Sequence, residues 1–258
     1  MAIHDAQRLL FVVGGYLAAF VLATNLAWIL RTPRSGRLGR AVEFIRLWGG
    51  KLHLNDLVRM TYYLLPPYLV LYWGWASPLD LGLADLDWIR GTGQAVALAL
   101  GGWVVLALVW RQYVRLLRPQ PAMPQEQWLG QPWGWTFLLR EAILLESGWA
   151  LVRSPMLLLA GPYFGAYLAL AAVCAAALLN ARTRYELGVS GVREEVLLTG
   201  GIAVWMATLY VYVHNLWLCI AAHLFLKASI LALVRWGMGR TSATLAPGPA
   251  QSAGQTSP

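Results

Sequence analysis

The chain alternates between long apolar runs and short polar segments. Apolar windows long enough to cross, or nearly cross, the hydrocarbon of a bilayer lie at 9–30, 60–77, 92–110, 136–153, 156–179, 196–213 and 216–235. A lone strand in hydrocarbon would leave its backbone amides without hydrogen-bond partners, so each run is expected to be helical. The pattern therefore predicts an all-α, polytopic transmembrane helical bundle of about seven spans.

The length leaves room for one such bundle. Spans of about 20 residues with short connections use most of the 258 residues, so the sequence predicts a single transmembrane helical domain over residues 1–240. The segment 241–258 is rich in Ser, Gly, Pro and Ala and is predicted to be a disordered cytoplasmic tail. The first run is longer than the core of a signal peptide and is expected to remain as a span.

Composition indicates the same class of protein. The chain is 59% hydrophobic and only 12% charged, which is too little charge to cover a water-soluble surface. The lipid bilayer is therefore its expected partner. The formal charge of +8 could suggest nucleic acid, but the arginines stand beside the apolar runs and not within an aromatic binding surface, so no nucleic acid is expected.

Basic residues are distributed unevenly between alternate connections. Most of them lie at 31–59, 111–118 and 180–195 or after residue 234, all on one side of a seven-span bundle, whereas the opposite side carries the acidic stretch 80–87. Because basic connections stay in the cytoplasm, the N-terminus is predicted outside and the C-terminus in the cytoplasm. The expected location is the inner, or cell, membrane of a prokaryote.

Five ionisable residues within the apolar runs are candidates for chemistry. They are Glu141, Glu146 and Arg153 in the fourth run, and His223 and Lys227 in the last. Ionisable groups at membrane depth are costly, so each is a functional hypothesis by default. Arg153 stands two helical turns after Glu146 and is expected to reach it, and His223 and Lys227, one turn apart, are expected to face one interior cavity.

Two interpretations of these residues remain open. In the catalytic one, Glu146 is a general base for water and His223 is a hydrogen-bond donor or proton partner. In the structural one, an ion pair of Glu146 with Lys227, or of Glu141 with Arg140, fixes the register of the helices. No HExxH, GxSxG or phosphate-binding loop occurs, and the four histidines are dispersed, so no cofactor is expected and a divalent metal has no support.

The adjacent acids Glu194 and Glu195 could suggest a paired-carboxylate site. They stand at a predicted helix start among Arg182, Arg184 and Arg193. Carboxylates at that position complement the positive end of the helix dipole. A capping role is therefore expected for them.

Two segments together resemble a known membrane-protein family. Residues 215–227 form a Leu-Trp run that leads to His223, with Lys227 one turn later, and residues 140–153 combine Glu146 with Arg153. This pattern resembles the CPBP family, which includes CAAX-type prenyl-protein endopeptidases and bacteriocin-processing proteins and is also called Abi. The likeness extends over about residues 60–235, where it implies a CPBP-like core.

The resemblance implies an intramembrane endopeptidase site for a membrane-protein or hydrophobic peptide substrate. In the family a glutamate activates water and histidines stabilise the oxyanion. Carried over to this chain, Glu146 would be the base, His223 the electrophilic or proton-relay partner, and Arg153 the residue that orients the carboxylate.

Two parts of the family pattern are missing from this chain. Gly148 and Trp149 occupy the positions of the family's two adjacent glutamates, and no histidine occurs between His53 and His214, where the middle motif would lie. Losing these groups removes stabilisation of the transition state, so weak or absent peptidase activity is predicted. The alternative function is a non-catalytic, helix-binding membrane subunit, with its polar groups paired in a closed interior.

Overall fold

The structure, a computed structural model, describes residues 2–31, 54–84, 87–116 and 123–244. Within these ranges every regular element is a helix, which confirms the all-α prediction. The helices are α1 (Ala2–Arg31), α2 (Leu54–Tyr72), α3 (Trp88–Leu116), α4 (Glu126–Leu129), α5 (Gly134–Leu179), α6 (Ala181–Glu186), α7 (Val192–Val213) and α8 (Leu216–Thr244). Helix α8 continues past the predicted domain boundary at residue 240, and the rest of the predicted tail, 245–258, lies outside the described residues.

Five of the described helices are long and apolar enough to cross a membrane. The qualifying segments are Gln7–Ile29, Trp88–Leu116, Gly134–Leu179, Val192–Val213 and Leu216–Trp236. Large apolar side chains cover their outward faces; Phe11 is 83% exposed and Phe164 is 75% exposed. Such a surface is unfavourable in water and suits hydrocarbon. The chain is therefore a helical membrane protein, as its apolar runs predict.

Helix α5 is a hairpin of two arms. Its 46 residues would extend about 69 Å if straight, roughly twice the hydrocarbon thickness. Gly161 interrupts it with a φ of 75° and a ψ of 172°, a backbone conformation that glycine adopts readily. A Cβ atom added at Gly165 would strike the backbone of Met156 and Leu157. The chain therefore reverses here, and residues 134–160 and 162–179 lie side by side.

The predicted break between the spans 136–153 and 156–179 is misplaced. Arg153, Ser154 and Pro155 lie inside the first arm and are buried. The reversal occurs at Gly161 because it requires a positive φ, and Pro162 then begins the second arm, where its missing N–H group is not needed.

The first arm of α5 lies between two apolar clusters. On one side α3, α7 and α8 bury residues such as Leu106, Met206 and Leu226. On the other side α1 and α2 bury Leu9 and Val70 against it. Polar side chains on this arm are consequently surrounded by protein and not by lipid.

The turn between α7 and α8 fixes the start of α8. His214 ends α7 in the left-handed conformation, with a φ of 47°. The Asn215 side chain accepts hydrogen bonds from the backbone N–H groups of Trp217 and Leu218 at 2.9 and 3.2 Å, which caps α8. The carbonyl of Gly82 accepts the N–H of Leu216 at 2.9 Å. These contacts set the rotation of α8 and hence the direction of its polar residues.

Candidate functional site

Three of the five predicted site residues meet in the interior between α5 and α8. Arg153 Nη2 donates to Glu146 Oε2 at 3.0 Å, and His223 Nδ1 lies 3.0 Å from Glu146 Oε1. Glu146 and His223 are 0% exposed and Arg153 is 3% exposed. We call these three residues the central triad. The expected contact between Arg153 and Glu146 is confirmed.

Two aromatic rings pack against the central triad. The Trp149 ring stacks on the His223 imidazole with a centroid distance of 5.6 Å. The Arg153 guanidinium lies over the Tyr210 ring, 4.1 Å from its centroid, a distance that suits a cation–π contact. Sequence reasoning gave these two rings no role at this site, because an aromatic residue in an apolar run is usually core. The spacing of Trp149, one turn after Glu146, was the available signal.

One assignment of protons accounts for both contacts of Glu146 in the central triad. An ionised Glu146, neutralised by Arg153, requires His223 Nδ1 to be the donor, and a neutral imidazole then carries its lone pair on Nε2. His223 Nε2 makes no hydrogen bond to any described residue. The triad is then neutral overall and has one basic nitrogen without a partner.

A small cavity adjoins the central triad. It lies between the two arms of α5 and α7, and its volume is about 20 Å³, room for about one water molecule. A peptide does not fit. The cavity is lined by Trp149, Arg153, Ala166, Ala169, Leu170, Val173, Ala203 and Ala207.

The other two predicted site residues belong to a second polar group. Arg59 Nη2 on α2 donates to Glu141 Oε1 at 2.5 Å. Lys227 on α8 is 0% exposed and lies within electrostatic range of Glu141, of Glu195 on α7 and of Arg59. We call these four residues the second cluster. Sequence reasoning missed Arg59 because it was assigned to a basic connection, whereas α2 already begins at Leu54.

Both predicted ion pairs are wrong. Glu146 bonds Arg153 and His223, and Lys227 Nζ makes no hydrogen bond within the described part of the chain, so these two do not pair. Arg140 reaches Asp56 on α2 at 3.4 Å and not its neighbour Glu141. The reason is that consecutive residues of a helix point in different directions, and α2 supplies a partner to each.

The adjacent acids at the start of α7, Glu194 and Glu195, make different contacts. Glu194 accepts from the N–H of Gly191 and from the Tyr113 hydroxyl at 2.6 Å, so the capping prediction is confirmed for it. The Glu195 carboxylate lies instead near the backbone N–H of Gln125 and within electrostatic range of Lys227. A paired-carboxylate site does not form.

The short helix α4 lies close to the second cluster. The backbone N–H of Gln125 approaches the Glu195 carboxylate. Glu126 is 5% exposed, and burial raises its pKa above the ordinary value despite the nearby charge of Arg235. The side-chain oxygens Gln125 Oε1 and Glu126 Oε1 are buried and accept no hydrogen bond from described residues.

Comparison with family models, with curated proteins and with solved structures finds no match to this chain.

Proposed function

We propose that this chain is a CPBP-like intramembrane hydrolase in which the central triad activates water for slow cleavage of peptide bonds in membrane-associated substrates. The observation that carries the proposal is the 3.0 Å contact between the Glu146 carboxylate and the His223 imidazole deep in the bundle. A purely structural ion pair is complete with Glu146 and Arg153. A histidine that is added to this pair, with its second nitrogen left available, is the arrangement that proton transfer needs.

The proposed role of each residue follows from its hydrogen bonds. The lone pair of His223 Nε2 takes a proton from water, and the resulting hydroxide attacks the carbonyl carbon of the peptide. Glu146 holds the imidazole through Nδ1 and stabilises the imidazolium, as the carboxylate does in Ser-His-Asp enzymes. The imidazolium then returns the proton to the leaving amine. Arg153 balances the charge of the Glu146 carboxylate, and the partial loss of oxyanion donors relative to the CPBP pattern makes turnover slow.

Catalysis requires the closed bundle to open. The cavity beside Arg153 holds about one water molecule, so a peptide must separate the second arm of α5 from α7. Alanines line this boundary on both helices, at Ala166, Ala169, Ala203 and Ala207. Small side chains let the two backbones approach closely, so this boundary must part before a peptide can enter.

A non-catalytic, helix-binding subunit is the second candidate function. The observation that favours it is the complete enclosure of Glu146 and His223, both 0% exposed. In that case the central triad acts only as a buried ion-pair network that specifies how α5 and α8 pack.

Cleavage by purified protein in lipid nanodiscs separates the two candidates. Prenylated and unmodified hydrophobic peptides would be offered to the wild type and to Glu146→Gln, His223→Gln and Glu126→Gln. The proposal expects slow cleavage that falls by about 10³ to 10⁴ in Glu146→Gln, because the amide cannot stabilise the imidazolium. Glu126→Gln is the matched control and should retain activity. No cleavage by folded wild type would instead support the helix-binding subunit.

The topology proposed for the bundle has seven crossings. Helix α2 and the two arms of α5 supply the crossings beyond the single spans of α1, α3, α7 and α8, with the N-terminus outside and the C-terminus in the cytoplasm. In a cysteine-free background, Leu79→Cys should react with an impermeant thiol reagent from outside intact cells. Arg184→Cys should react only after permeabilisation, and the reverse result would overturn the orientation.

A further inference from the structure

The second cluster and the central triad contain three buried polar atoms without a partner in the described chain. They are Glu141 Oε2, Lys227 Nζ and His223 Nε2, and none makes a hydrogen bond to a described residue. Their residues are 6%, 0% and 0% exposed. Buried polar atoms in proteins are nearly always bonded, and where protein groups are absent the partner is ordered water.

The helices bring the residues that carry these atoms to one side of α8. His223 and Lys227 are one turn apart on α8 and therefore on the same side of it. Lys227 is in turn within electrostatic range of Glu141 on α5 and Glu195 on α7. Helices α5 and α7 thus contribute polar groups on the side of α8 that also carries His223, the base of the proposed reaction.

The second cluster lies close to the surface of the bundle. Arg59, the partner of Glu141, has 33% of its side chain exposed, and Arg140, on the preceding position of α5, has 32% exposed. Gln125 Oε1 and Glu126 Oε1 on α4 add two more buried oxygens with no hydrogen bond to the described chain. Polar residues of four helices and α4 therefore extend from the second cluster to partly exposed side chains on the basic side of the bundle.

We propose that Lys227, Glu141 and Glu195 hold a file of water molecules that leads from the basic side of the bundle to His223 Nε2. The bound ligand is water, with the ammonium group as donor and the two carboxylates as acceptors. The inference rests on the proposed hydrolysis for its purpose, since that reaction consumes one water for each peptide bond. The cavity beside Arg153 holds about one water molecule, so each cycle needs a fresh supply.

The file also separates the route of water from the route of substrate. The cavity at Arg153 has an almost wholly apolar lining on the side of Ala166 and Ala203, which suits a hydrophobic substrate. The side of Lys227 carries charges of both signs. In this arrangement water reaches the imidazole from the side of Lys227. The substrate, with its scissile bond, enters from the side of the apolar cavity.

Thiol labelling tests the file without any need for turnover. Lys227→Cys, Glu141→Cys and Leu226→Cys would be made after Cys174 and Cys219 are replaced by alanine. Leu226 is also 0% exposed but lies in the apolar cluster of α3, α7 and α8. A small methylthiosulfonate reagent, added from the basic side of sealed vesicles, should modify positions 227 and 141 at least about tenfold faster than position 226.

Two outcomes of the labelling would overturn the file. One is equal, slow labelling at all three positions, which means that the second cluster is dry. The other is faster labelling from the opposite side, which means that the polar region opens there. If Lys227→Cys fails to fold, the labelling rate of Glu141→Cys is compared with that of Leu226→Cys.

Kinetics test whether the file supplies the reaction. Lys227→Met should lower kcat about tenfold and leave KM unchanged, because water and not substrate is affected, and Lys227→Arg should restore most of the loss. If Lys227→Met instead raised KM and left kcat unchanged, the file would not supply the reaction with water. The proposed hydrolysis would not be affected by that result. Cleavage that survives in Glu146→Gln would instead refute the proposed function, and the labelling would still decide whether the file exists.

Discussion

The central triad and the second cluster both include residues of α5 and α8, yet their charges are satisfied in different ways. Glu146 has a partner on each carboxylate oxygen. Glu141, on the preceding turns of α5, has one oxygen bonded to Arg59 and one without a bond to the described chain. Lys227, one turn after His223 on α8, likewise lacks a hydrogen bond there. Glu146 in the central triad is thus paired directly. In the second cluster, Glu141 and Lys227 are also buried, but each has a polar atom without a protein partner, which water would have to satisfy.

This difference leads to different expectations for mutation. Where two buried charges are paired directly, removing one leaves the opposite charge buried and uncompensated. In a region with internal water, the solvent takes over part of the lost interaction. Four measurements would break or sharpen the contrast.

The largest effect is expected for Glu146→Leu. This change leaves the Arg153 guanidinium buried without its carboxylate and should lower the free energy of unfolding by about 3–5 kcal/mol. Chemical unfolding in detergent micelles would measure it. The double variant Glu146→Leu with Arg153→Met, which removes both charges, should recover most of the loss. A loss below about 1 kcal/mol in the single variant would mean that solvent, and not Glu146, compensates the charge of the Arg153 guanidinium.

The second measurement is a double-mutant cycle on Lys227. Lys227→Met combined with Glu141→Gln should show a coupling of about 0.5–3 kcal/mol, as expected of charges in one cluster. The same change combined with Arg140→Gln should be nearly additive. Strong coupling to Arg140 and none to Glu141 would contradict the arrangement of the second cluster.

Much of the fold could be predicted from the sequence, because hydrocarbon allows few alternatives. An apolar run such as Leu9 to Leu30 must be helical in a bilayer, and α1 contains it. The position of the α5 reversal could not be predicted well. Pro155 and Gly161 both interrupt an apolar run, and only the three-dimensional contacts of Gly165 show which of them carries the turn.

The site was predictable only where its residues share a helix. The contact of Glu146 with Arg153 follows from a spacing of two turns. The partners of Glu141 and Arg140, by contrast, lie on α2, more than 80 positions away in the chain. The spacing of residues within α5 cannot indicate which residues of α2 lie beside it. The two pairs predicted from proximity in sequence were wrong for this reason.

The third measurement concerns Glu126, at the outer end of the polar region. Burial raises the pKa of Glu126 above its ordinary value of 4.5, so the folded state holds the proton more tightly than the unfolded state. Its ionisation therefore costs stability above the folded pKa, and the cost disappears as the pH falls to about 4.5. Glu126→Gln should raise the thermal midpoint at pH 7 and match the wild type near pH 4. An equal difference at both pH values would contradict this origin.

The smallest effect is expected for the pair Asp56 and Arg140. Their side chains are 41% and 32% exposed, and the charged atoms are 3.4 Å apart. Asp56 also lies in the first turn of α2, where a carboxylate is favoured by the helix dipole. Asp56→Asn alone would therefore mix two effects, and a cycle with Arg140→Gln cancels the dipole contribution.

The coupling energy of Asp56 with Arg140 should be below about 0.5 kcal/mol, because water and salt screen exposed pairs. It should also fall further at high salt. The cycle of Arg59→Gln with Glu141→Gln is the matched comparison, since Glu141 has only 8% of its side chain exposed, and its coupling should be larger and less dependent on salt. A coupling of about 2 kcal/mol or more for the exposed pair would place it in a region of low dielectric constant. The water file would then have no aqueous end on this side of the bundle.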